Sequence, residues 1–211
     1  MIDAIYKPHL DKMWDHLGRL VARAGISANA VTWIGLILGA ANALWYVYHE
    51  SGVLFGLTLA LTELLDNLDG AVARVTGRSS HAGAFLDAWT DRYKEAIPLF
   101  AVAHVTGYWP VCFIVIAGSL IVSYSHARAA MEWPAATPAR SGGLPDLFER
   151  FERVAALCIG LVFGALLPSD LIFGHDVLFV VLWVLAVMTH VTAVQRFARS
   201  WRALSDADRT P

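Results

Sequence analysis

Four aspartates, Asp66, Asp69, Asp87 and Asp91, stand at the ends of apolar runs, where an unpaired carboxylate is costly. Their spacing organises them. Asp66, Asp69, Gly70, Ala73 and Arg74 fall at offsets 0, 3, 4, 7 and 8, which is one face of a helix. Gly83, Asp87 and Asp91 fall at offsets 0, 4 and 8, one face of the next helix. A short loop joins the two segments, so the helices are antiparallel neighbours and the two faces can converge. Carboxylate oxygens with no Cys or His beside them suit Mg²⁺ or Mn²⁺ better than zinc. An adjacent Arg suits a metal-bound diphosphate. The small residues Gly70, Ala73 and Gly83 leave room for a substrate to approach the backbone. A solvated turn at Asp69-Gly70 explains neither Asp87 nor Asp91. A calcium loop opening at Asp66 fails because Gly77 stands where its closing Glu is needed.

The elements that must hold these carboxylates are membrane helices. Of 211 residues, 57% are hydrophobic and only 16% charged, against about a quarter charged in soluble domains. Cys112 and Cys158 lie within apolar stretches and read as buried small hydrophobes, not as a disulfide. Six stretches are long and apolar enough to span a bilayer, near Ala30–His49, Val53–Val75, Gly83–Gly107, Trp109–Met131, Arg153–Pro168 and Val177–Trp201. Under that layout all 16 Lys and Arg residues fall on one side, which predicts cytoplasmic termini. Trp45 and Trp109, near the outer ends, fit an aromatic belt. Lys7, Lys12, Arg19 and Arg23, set among apolar residues, predict an amphipathic helix on the membrane surface and no cleavable signal peptide. The Pro- and Gly-containing stretch from Trp133 to Pro145 predicts a mobile cytoplasmic loop.

The expected architecture is all-α: six transmembrane helices preceded by an amphipathic surface helix. Residues 1–25 form the juxtamembrane segment, 26–203 the six-helix domain and 204–211 a cytoplasmic tail.

The run Asp66-x2-Asp69-Gly70-x2-Ala73-Arg74-x8-Gly83-x3-Asp87-x3-Asp91 resembles the full signature of the CDP-alcohol phosphotransferases. The resemblance implies six transmembrane helices around a cytoplasm-facing polar cavity, usually in a homodimer, and an inner-membrane, multi-pass location. It implies Mg²⁺ or Mn²⁺ held by Asp66, Asp69, Asp87 and Asp91, with Asp91 also the general base. It implies contacts to the CDP-linked donor, such as CDP-diacylglycerol, from Asp69, Gly70, Ala73, Arg74 and Gly83. Asn29 joins them through Ser27-Ala28-Asn29-Ala30-Val31-Thr32, which is similar to the family's Pro-Asn-x-x-Thr entry to the first span; Ser27 or Asn29 can equally cap that helix. The reaction is transfer of a phosphoalcohol group to a hydroxyl with release of CMP. Nucleic acid has no part in it.

Three further segments bear on the acceptor: Ser123-Tyr124-Ser125-His126-Ala127-Arg128-Ala129, Glu149-Arg150-Phe151-Glu152-Arg153 and Val194-Gln195-Arg196. They resemble the phosphatidylinositol-phosphate synthase branch, which implies that His126, Arg128, Arg153 and Arg196 bind a small phosphorylated alcohol such as inositol phosphate. His126 replaces a Lys of that branch and removes a full charge near pH 7. Glycerol 3-phosphate and other polyols therefore stay open. A membrane prenyltransferase would separate its Asp pairs more widely, and a divalent-cation transporter would set its carboxylates nearer the bilayer midplane.

Overall fold

The computed structural model of the chain describes residues 2–133, 148–172 and 174–209, with side chains from residue 13 onward. Eight helices occur among these residues: α1 (Ile2–Arg23), α2 (Ala28–His49), α3 (Gly52–Leu65), α4 (Asn67–Thr76), α5 (His81–Thr106), α6 (Trp109–Glu132), α7 (Arg150–Leu166) and α8 (Val177–Ala207). The loop expected over 133–145 lies almost wholly outside the described residues. The tail expected from residue 204 is still helical as far as Ala207.

Among the described residues three helices, α2, α6 and α8, are long and apolar enough to cross a membrane. The expected second span, Val53–Val75, is two helices. Asp66 keeps helical dihedrals (φ −60°, ψ −29°), but its N–H reaches back to Glu63 at 3.3 Å in a tighter turn. The Asn67 side-chain amide donates to the Leu64 carbonyl at 3.3 Å, occupying an acceptor at the break. The interruption falls at the first of the four aspartates.

The helices pack as two compact units, Met1–Ala101 and Val102–Pro211. In the first, α2 packs on α3 and α4, and α1 lies along α4. That last approach is close because residue 18 is Gly: a Cβ there would stand 2.9 Å from the Ala71 carbonyl carbon. In the second, α8 packs on both α6 and α7. Gly118 and Gly164 admit it, since a Cβ at either would press on Thr189 or Leu178 at 2.9 and 2.8 Å. Large apolar side chains such as Leu44, Phe85, Phe113 and Val194 are exposed, far beyond what a water-facing surface carries.

Candidate functional site

Six of the eight signature residues line one cavity of the first unit, about 270 Å³ in volume: Asp69, Gly70, Ala73, Arg74, Gly83 and Asp87. Asn29 and Thr32 of α2 complete the wall, with Arg78 and Ser80 from the α4–α5 loop. Local chemistry explains how each arrives. Ser27 caps α2, its Oγ accepting the Ala30 N–H at 3.2 Å, which leaves Asn29 available to the cavity. Gly83 lets Asn29 come close, because a Cβ at 83 would stand 3.2 Å from Asn29 Oδ1. Asp69 is nearly buried and fixed at both oxygens. The Thr32 hydroxyl donates to Oδ2 at 2.7 Å, and the Gly70 N–H donates to Oδ1 at 2.5 Å. The sequence left Thr32 without a role, although its place three residues after Asn29 puts both at the start of α2, and here it holds Asp69 in the cavity wall.

Arg74, half-exposed, meets Asp15 of α1: its Nη2 and Nε lie 3.1 and 3.3 Å from Oδ1. Helix α1 thus reaches a cavity-lining guanidinium.

The expected single face of Asp66, Asp69 and Arg74 is divided by the break. Asp66 lines a separate small recess with Gly35, Glu63, Lys94 and Pro98. Its Oδ1 pairs with Lys94 Nζ at 2.6 Å, and Lys94 is only 5% exposed. Breaking one side of such a buried pair costs about 3–5 kcal/mol. Asp91 follows on α5, with Arg92 Nη2 3.8 Å away; Arg92 also pairs with Glu95 at 3.1 Å.

Among the described residues no three His, Cys, Asp or Glu side chains gather closely enough to hold a metal ion. The donor chemistry nevertheless fits a hard divalent cation. Every expected ligand is a carboxylate, Asp69 and Asp87 face one cavity, and Asp66 already holds a cation in the Lys94 ammonium.

The second unit gathers a different set. Arg153 is buried at 6% exposure, donating to the Phe148 carbonyl at 3.0 Å and to Ser119 Oγ at 3.3 Å. Arg196 donates to the Val122 carbonyl at 3.2 Å and lies within electrostatic reach of His126 and Glu149. Of the four expected acceptor residues, Arg153 and Arg196 both bond to α6 or its neighbours, and His126 lies near Arg196. Arg128 does not join them: it is exposed and pairs with Glu132 one turn along its own helix. Sequence reasoning missed Ser119, which stands at i−7 from His126 on the same face of α6.

Residues 25–195 match the CDP-alcohol phosphatidyltransferase family, and the chain belongs to it: it is a membrane enzyme of that transferase class. It is 33% identical to the archaetidylinositol phosphate synthase of Pyrococcus horikoshii over 193 residues, covering 90% of this chain and 92% of that protein. Among solved structures it resembles the phosphatidylinositol phosphate synthase of Mycobacterium tuberculosis with CDP-DAG bound (TM-score 0.73, 28% identity, 90% of this chain and 94% of that one). It also resembles the same synthase in complex with manganese and citrate (TM-score 0.73, 28% identity, 89% and 88%).

Proposed function

We propose that the chain transfers a phosphatidyl-type group from a CDP-linked lipid to a hydroxyl of inositol phosphate, releasing CMP. The observation that carries this reading is the convergence of six signature residues with Asn29 on one cavity. The named activities of its relatives, which make inositol phosphate lipids, support the choice of acceptor.

In this reading Arg74 meets the donor diphosphate, while Gly70, Ala73 and Gly83 give its nucleotide access to the backbone. Asp69, locked by Thr32 and Gly70, keeps one orientation as substrates come and go. Asp91 takes the proton from the attacking hydroxyl. A divalent ion, Mg²⁺ or Mn²⁺, held by Asp66, Asp69, Asp87 and Asp91 supplies charge neutralisation for the diphosphate. Arg153, Arg196 and His126 bind the acceptor's phosphate.

The membrane arrangement is six spans, with α3 and α4 crossing as one interrupted segment and Pro98 tolerated within α5. Met13, Leu17 and Leu20, exposed on one stripe of α1, lie on the lipid surface. Both termini and the site face the cytoplasm, in the inner membrane, and the enzyme is a homodimer.

The test is CMP release by purified protein given CDP-diacylglycerol, Mg²⁺ or Mn²⁺, and inositol phosphate, glycerol 3-phosphate, serine or inositol in turn. CMP should appear with inositol phosphate and not with inositol. Release only with glycerol 3-phosphate would reassign the acceptor, and no release with any acceptor would sink the reading.

A further inference from the structure

Lys94 was counted in the sequence among the charges that orient the chain in the membrane, yet the structure buries it. It lies at i+7 from Asp87 and i+3 from Asp91, so one face of α5 carries two signature carboxylates and then a cation. Its ammonium is 2.6 Å from Asp66 Oδ1. The backbone of α2 closes over the pair at Gly35, where a Cβ would stand 3.1 Å from Asp66 Oδ1 and 3.4 Å from Lys94 Nζ. Three elements thus build this contact: the α3–α4 break presents Asp66, α5 supplies the cation and α2 leaves room for both. A surface ion pair needs none of that construction.

We propose that Lys94 is a built-in counter-cation for Asp66 that competes with the divalent ion for this carboxylate and so holds the site's intrinsic metal affinity down. The inference rests on the carboxylate reading given under Proposed function. Its physical basis is simple: two cations at one carboxylate repel each other, and the pair is sheltered from the screening that would weaken that repulsion. Without the ammonium, the recess that Asp66 lines with Glu63 holds one positive charge fewer, and a metal ion restores it. Metal entry in the native chain therefore requires the Asp66–Lys94 contact to loosen.

The experiment is Mn²⁺ binding to the full-length purified protein in detergent, without CDP-lipid, read as loss of the free Mn²⁺ electron paramagnetic resonance signal. Lys94→Met should bind Mn²⁺ roughly tenfold more tightly than wild type or better, a difference of about 1.4 kcal/mol. Lys94→Arg, which keeps the charge, should stay near the wild-type affinity. Lys94→Gln removes the same charge and serves if the Met variant does not fold. Equal or weaker binding in the neutral variants overturns the role of Lys94. Asp87→Asn separates the two claims: if it loses Mn²⁺ while Lys94→Met is unchanged, only the inference fails, whereas absence of Mn²⁺ binding in the wild type and in the neutral variants alike removes the carboxylate site itself.

Discussion

The first unit concentrates carboxylates and the second concentrates guanidinium groups, and the two solve the burial of charge differently. In the first unit each buried negative charge meets a dedicated side chain or amide: Thr32 and Gly70 on Asp69, Lys94 on Asp66. Those residues come from adjacent helices and a short loop, and the small residues among them open a cavity. In the second unit Arg153 and Arg196 donate to backbone carbonyls, those of Phe148 and Val122, and Arg153 also donates to the Ser119 hydroxyl. A neutral carbonyl or hydroxyl partner does not neutralise a guanidinium, so the positive charge remains. The first unit is suited to hold a rigid constellation, the second to present positive charge to something that arrives. A catalytic site and a binding site should fail differently when damaged.

The largest expected failure is therefore in the first unit. Asp91→Asn should lower turnover by at least about a hundredfold, since general-base assistance alone is worth roughly 10²–10⁴. The chain should still fold, because Asp91 is partly exposed and the Arg92 guanidinium stands 3.8 Å from it. CMP release at saturating donor and acceptor, with a thermal melt as control, measures both. Full activity in that variant would remove Asp91 from the chemistry.

The same contrast explains what could be read from the sequence. Asp69, Gly70, Ala73, Arg74, Gly83 and Asp87 belong to two neighbouring segments, so helical offsets alone placed them on facing surfaces, and the structure gathers them at one cavity. Asp66 escaped that logic. The helix is interrupted there without any Pro or Gly in Leu65-Asp66-Asn67, and the residue that draws Asp66 aside is Lys94, 28 positions away. An apparently topological lysine gave no warning except its place on the Asp87–Asp91 face. In the second unit the residues come from α6, α7 and α8, separated by long intervals over which spacing carries no register. Ser119 shares a face of α6 with His126, but its partner Arg153 lies 34 positions away on α7, so its part was not legible. Arg128 was expected in the cluster from the resemblance to the synthase branch; here it pairs with Glu132, and it lies two residues along the helix from His126, which turns it to a different face.

The second unit's test is smaller and selective. Arg196→Ala should raise the KM for inositol phosphate roughly ten- to a hundredfold, the range expected for losing a charge-assisted hydrogen bond. The KM for the CDP-lipid should move far less. Equal changes in both, with a lowered melting temperature, would mean that Arg196 serves only to tie α8 to Val122.

The smallest effect probes the contact of α1 with the arginine of the cavity. Asp15 sets a negative charge 3.1 Å from Arg74, the guanidinium assigned to the donor diphosphate, and both side chains are substantially exposed. An exposed pair is worth about 1 kcal/mol at most, so Asp15→Asn should change binding by a factor of about two to five. The sign follows from charge: removing an anion beside an anion-binding group favours the donor, so the KM for the CDP-lipid should fall. Screening shrinks interactions between exposed charges, so the difference should fade between about 0.05 and 0.5 M salt. A donor KM that rises instead would show that Asp15 orients Arg74 rather than competing for it. The first unit would then extend its pattern of fixed, partnered charge out to α1, and the contrast with the second unit would be sharper still.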